Sequence, residues 1–179
     1  MQPFIEALNQ RVLVCDGAMG TMLYSKGVFI NKSFDALNLS RPELVEEVHQ
    51  DYVRAGADIV ETNTFGANRI KLGSFGLGES LVAINVEGVR IARRAAGERA
   101  YVAGSIGPLG IRIEPWGKTG VEEAQEYFAE QTKEYPLAAG VATDPALVPL
   151  DEIGTPEIDL SDLADLEGTL ELLQEVGIL

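Results

Sequence analysis

Three short apolar runs constrain this chain most. They are Val12–Cys15, Ala57–Val60 and Ala100–Ala103, starting near residues 12, 58 and 101 at spacings of 46 and 43. Each is nearly continuous and rich in β-formers, which predicts a strand buried on both faces. A polar, glycine-bearing loop and then a helical pattern follow each run. The first helix is predicted over 42–55, with Ser40 placed to cap it, Pro42 in its first turn and Gly56 as its stop. Its apolar positions are Leu44, Val45, Val48, Tyr52 and Val53. The second is predicted over 79–96, with Leu81, Val82, Val86, Val89 and Ile91 as the apolar stripe and Gly97 as its end. The third is predicted over 120–135 and stops at Pro136.

Strands alternating with helices predict an α/β fold with a parallel sheet. A small doubly wound sheet and part of a (β/α)8 barrel both fit. A whole barrel takes about 250 residues, usually 200 or more. The 179 residues here hold about four units of this length.

Charge divides the chain where the pattern stops. Residues 1–135 carry 14 basic and 18 acidic side chains, a net of −4; residues 136–179 carry 10 acidic and no basic ones, a net of −10. The total of −14 argues against nucleic acid and anionic membrane as partners, since both require a basic footprint. No apolar run reaches the roughly 18 residues of a membrane span. The N-terminus reads as carrying no secretory signal. The single cysteine, Cys15, excludes an internal disulfide framework and a multi-cysteine metal site built by this chain alone. A cytoplasmic setting is the expectation. In the tail, residues 140–142 and 147–150 read as weak strands interrupted by Pro145 and Pro149. An acidic helix is predicted over 163–176.

In parallel sheets ligands bind beyond the C-terminal strand ends, so the loops there hold the candidates. Asp16 closes the first run and is followed by Gly17, which lets backbone approach a ligand. Its carboxylate suits a substrate ammonium or a bound water; it equally suits closing the turn on backbone N–H groups. Glu61, Thr62, Asn63 and Thr64 follow the second run. Alternation places Glu61 with Asn63 and Thr62 with Thr64, one pair facing the ligand and both able to cap the next turn. The glycines at 104, 107 and 110 do not form a dinucleotide fingerprint, and no phosphate-loop motif is present. His49, the only histidine, reads as a solvated or packed helix residue. Cys15 reads as a core thiol, and Trp116 as a pocket floor or a cover for the core.

Three segments together, DGAMGTM (16–22), ETNTFGAN (61–68) and GSIGPLG (104–110), resemble the homocysteine S-methyltransferase family. The similarity is to the N-terminal homocysteine-binding module of cobalamin-dependent methionine synthases, extends over about residues 8–135 and includes Asn38–Pro42. It implies a (β/α)8 barrel and methyl transfer to the homocysteine thiol in methionine synthesis. It further implies that Asp16 meets the substrate amino group. Gly17 and Thr62 would lie beside its amino-acid end, with Glu61 and Asn63 as neighbours. The implied cofactor is a zinc ion that holds the sulfur as thiolate, with methyl-cobalamin or methyl-folate as donor.

The family's zinc ligands are three cysteines, and no cysteine of this chain corresponds to them. No catalytic or metal-ligating residue is therefore assigned. The resulting expectation is residues 1–135 as the first three to four units of such a barrel and 136–179 as a divergent acidic tail with a C-terminal helix. The chain alone is expected to be inactive, and open sheet edges favour a homo-oligomer. The alternative is a non-catalytic binding or scaffold module derived from that fold.

Overall fold

The computed structural model describes residues 1–29 and 32–133. The weak strands expected at 140–142 and 147–150, the helix expected at 163–176 and the tail expected over 136–179 lie outside the described residues. The described residues form seven α-helices and a small parallel sheet. The helices are α1 (Phe4–Gln10), α2 (Met19–Ser25), α3 (Leu37–Ser40), α4 (Pro42–Ala55), α5 (Arg69–Ser74), α6 (Leu81–Ala96) and α7 (Val121–Lys133), with α4 and α6 packed on the sheet. A 3-10 turn over Gly78–Ser80 leads into α6.

The sheet pairs β1 (Ile59–Glu61) with β2 (Tyr101–Ala103) in parallel, Val60 opposite Val102. Cys15 adds a parallel bridge to Ile59 on the other side of β1. The Val14 carbonyl accepts from the N–H groups of Asp58 and Ile59, and the Asp16 N–H donates to the Ile59 carbonyl at 2.9 Å. The three parallel segments therefore cross the sheet in chain order. The helices that connect them, α4 and α6, pack against each other, and Arg94 of α6 donates to Glu46 of α4 at 3.0 Å.

The first segment differs from expectation. Val12 is 85% exposed, and Val14 and Cys15 are exposed too. Cys15 is thus not a core thiol. An apolar run signals that burial is favourable, but burial needs side chains packed over it; the bridge to Ile59 pairs a backbone edge and covers neither face.

The helix limits follow local chemistry. Pro42 starts α4, and Gly56 ends it with φ +101°, a conformation only glycine adopts without strain. Ser40 does not cap α4. It is the last residue of α3 and its hydroxyl donates to the Ala36 carbonyl. In α6 the buried stripe is Leu81, Ile84, Gly88, Ile91, Ala92 and Ala95, while Val82 is exposed. The helical period admits either phase from the apolar residues alone, and packing on α3 and α4 selects this one.

The main core cluster joins Leu23, Val28, Leu37, Val45, Val48 and Ile91, drawn from α2, the segment after it, α3, α4 and α6. Each such side chain contributes about 1.5–3 kcal/mol when fully buried. A second cluster, Val53, Val60, Ala96 and Ala100, anchors the sheet to α4 and α6. No helix among the described residues is long and apolar enough to cross a membrane.

Candidate functional site at the strand ends

Parallel pairing brings the three glycine-bearing loops to one edge of the sheet. Asp16 is half-buried there, and both its carboxylate oxygens lie 3.1 Å from the Glu61 main-chain N–H. Burial pushes the Asp16 carboxyl up to about 6, and the Glu61 carboxylate adds to this. Among the described residues Asp16 forms no ion pair. Salt bridges lie elsewhere, as in Lys26 with Glu47, Arg69 with Glu130 and Arg94 with Glu87.

Glu61 is exposed at the end of β1. Its Oε2 accepts from the Ser105 hydroxyl at 3.0 Å. The Cys15 Sγ stands between the two carboxylates, 3.7 Å from Asp16 Oδ1 and 3.9 Å from Glu61 Oε1. Partial burial and the two carboxylates push this thiol above its ordinary value. It is therefore held protonated rather than poised as a nucleophile. Gly17 packs on Tyr52, where a Cβ would come within 3.0 Å of the phenol oxygen. The Tyr52 hydroxyl in turn donates to the Ala18 carbonyl at 3.1 Å, which fixes the loop after Asp16.

Thr62 and Asn63 are placed differently. The Thr62 and Thr64 hydroxyls, both beyond the end of β1, meet at 2.6 Å. Both also lock the third loop: the Ser105 N–H donates to Thr62 Oγ1 at 2.9 Å, and Thr64 Oγ1 donates to the Ser105 carbonyl at 2.9 Å. Asn63 does not share the position of Glu61. Its side-chain amide is buried and donates to the Phe34 carbonyl at 2.8 Å and to Asn38 Oδ1 at 3.0 Å. β1 ends at Glu61, so the chain turns and strict alternation ends with it.

Sequence reasoning missed several of the groups that build this edge. Asn38 donates to the Asn63 and Ile84 carbonyls, and Gln131 donates to the Thr64 carbonyl at 2.8 Å. Asp35 is half-buried and accepts from the Gly66 N–H at 2.8 Å, and burial raises its carboxyl above its ordinary value. Ser105 lay within a quoted motif without a role. Its signal is a hydroxyl two residues beyond the end of β2, next to a neighbouring strand's glutamate. Trp116 is 82% exposed, neither pocket floor nor core cover. His49 is the packed alternative, fully buried on α4.

The family profile described as homocysteine S-methyltransferase matches residues 13–146. The chain belongs to the homocysteine S-methyltransferase family. It is 36% identical over 138 residues to methionine synthase of Mycobacterium tuberculosis and 37% identical over the same length to that of Mycobacterium leprae. These alignments cover 70% of this chain and only 12% and 11% of those enzymes. The homocysteine methyltransferase MmuM of Escherichia coli, in its metallated form, superposes with a TM-score of 0.65 and 30% identity. That superposition covers 78% of this chain and 55% of MmuM. Its oxidized form gives the same score over 54% of its length.

A thiolate-rich metal site does not fit the residues here. No group of three histidine, cysteine or carboxylate residues among those described is arranged to hold a metal ion. The whole chain has one cysteine and one histidine, and the histidine is sealed in the helix packing.

Proposed function

We propose that this chain supplies the amino-acid-recognition part of a homocysteine S-methyltransferase domain. In this reading residues 1–135 form the opening units of a (β/α)8 barrel and residues 136–179 a separate acidic segment. The chain-order sheet, with α4 and α6 packed together, supports the barrel over the doubly wound alternative, which places helices on both faces.

The observation that carries the substrate assignment is Asp16. It is a half-buried carboxylate at the sheet's C-terminal edge, oriented by a main-chain N–H and lacking a cationic partner among the described residues. Such a group favours an incoming ammonium, because the partial burial that penalises the lone charge also strengthens its attraction to a cation. Gly17 lets the backbone approach the same end of the ligand, and Glu61 adds a second negative charge. Thr62 and Asn63 support the loop from behind through their hydrogen bonds.

In methyl transfer to homocysteine the thiol gives up its proton to solvent, the S–CH3 bond forms, and the bond from methyl to its donor breaks, releasing the demethylated donor. The residues described here hold the amino-acid end of that substrate. The family's sulfur-activating zinc finds no ligand set among them, so no step is assigned to it. The methyl donor, methyl-cobalamin or methyl-folate, would approach from outside this segment. The chain alone is expected to bind substrate without turnover.

Calorimetric titration of the 179-residue chain with L-homocysteine tests this. Binding is expected for homocysteine and not for 4-mercaptobutanoate, which lacks the amino group. It is expected to be lost in Asp16→Asn. Absence of homocysteine binding overturns the assignment and favours a non-catalytic module on this fold.

A further inference from the structure

Three hydrogen bonds tie Ser105 to the end of β1. Its N–H donates to Thr62 Oγ1, its carbonyl accepts from Thr64 Oγ1, and its hydroxyl donates to Glu61 Oε2 at 3.0 Å. The first two bonds are buried and fix the Ser105 backbone to the end of β1. The third reaches out to a side chain that is exposed and would otherwise sample many rotamers. The same Glu61 supplies the N–H that orients Asp16. Both carboxylates lie within 4 Å of one sulfur, Cys15 Sγ.

We propose that Ser105 is a positioning residue that holds the Glu61 carboxylate beside Asp16, so that the two acids form a two-pronged receptor for a primary ammonium group. An ammonium has three donors, so it satisfies both carboxylates at once and relieves their mutual repulsion. Without the Ser105 hydroxyl, Glu61 moves toward solvent and Asp16 stands alone. The proposal rests on the substrate reading above for the identity of the ammonium, but the positioning has a readout of its own.

That readout is Cys15, the only cysteine of the chain and an exposed one. The groups facing it are Asp16 and Glu61, and Tyr52 faces Asp16 from α4. A nearby negative charge raises a thiol's titration midpoint, so the rate of thiol modification against pH reports where the Glu61 charge is. In Ser105→Ala the Cys15 midpoint should fall by roughly a few tenths of a pH unit, about what one solvent-screened charge contributes. Glu61→Gln should lower it at least as far, and Ser105→Ala should add little in that background. Ser105→Thr, which keeps the hydroxyl, should restore the original profile.

Homocysteine affinity should weaken roughly three- to tenfold in Ser105→Ala, in keeping with one partly exposed charge-assisted hydrogen bond, and recover in Ser105→Thr. A Cys15 midpoint unchanged in Ser105→Ala while Glu61→Gln shifts it overturns the proposal. So does a midpoint that moves in neither variant, because Glu61 is then not held near the sulfur. If the midpoints move as stated and the wild-type chain binds no homocysteine, the positioning holds and the substrate assignment falls.

Discussion

The Glu61 main-chain N–H lies 3.1 Å from each carboxylate oxygen of Asp16, so the last residue of β1 orients the acid that ends the neighbouring segment. This one contact ties sheet geometry to the recognition site. The hydrogen bond lowers the Asp16 carboxyl's affinity for protons, yet burial outweighs it and leaves the group near 6. A carboxylate kept at a cost in the folded state is what a site awaiting a cation requires.

Asp16 should therefore trade stability for binding. Its folded value of about 6 lies above its ordinary 3.8. The stability linked to its proton is complete below 3.8 and is lost as pH rises through 6. Asp16→Asn keeps an acceptor for the Glu61 N–H and removes the charge. The variant's Tm should exceed the wild type's at pH 7.5, and the difference should close below pH 3.8. Homocysteine binding should weaken in the wild type as pH falls through 6. A Tm difference that persists unchanged at pH 3.5 would contradict this.

His49 sets an acid limb of opposite sign. Burial lowers it from 6.5 to about 4, and neither ring nitrogen has a hydrogen-bond partner among the described residues. Its contribution is complete above 6.5 and is lost as pH falls toward 4, about 3 kcal/mol in all. His49→Leu should flatten urea-unfolding stability between pH 6.5 and 4 relative to wild type, since an apolar side chain has no proton to take up.

Asn38→Ala should be among the most costly single changes. The Asn38 amide serves the Asn63 and Ile84 carbonyls and accepts from Asn63 Nδ2. Its removal strands buried polar groups on two elements, a cost of about 2–4 kcal/mol. A urea midpoint within error of wild type would show that water takes over these bonds.

Gly88→Ala should destabilise although alanine favours helix by about 1 kcal/mol. A Cβ at 88 would sit 2.6 Å from Asn38 Nδ2 and 2.7 Å from Thr64 Cγ2. Relieving that overlap costs about 1–3 kcal/mol. The double variant with Asn38→Ala should cost less than the two changes separately, because one of the two clashes is gone.

Much of the frame was legible in the residues. The runs at 57–60 and 100–103 become β1 and β2, and Pro42, Gly56 and Gly97 bound α4 and α6 as their backbone preferences dictate. The short helices α1, α2, α3 and α5 were not legible. Their four to seven residues fall below the length at which a helical period stands out, and tertiary packing stabilises them. The burial of Val12–Cys15 was misread for a related reason: apolar character states a preference and does not supply a packing partner.

The candidate site divides in the same way. The order of residue types along the chain determined that glycines follow all three strand runs and a carboxylate the first two, that the chain holds one thiol, and that the net charge is −14. These are covalent facts and need no fold. Only the tertiary structure decided which polar groups face outward. It turned Asn63 inward to Phe34 and Asn38, joined the Thr62 and Thr64 hydroxyls to Ser105, and left Asp16 and Glu61 at the open edge around Cys15. The physical reason is that each buried polar group must find a partner, and those of Asn63, Thr62 and Thr64 named here lie 25 to 43 residues away in the chain.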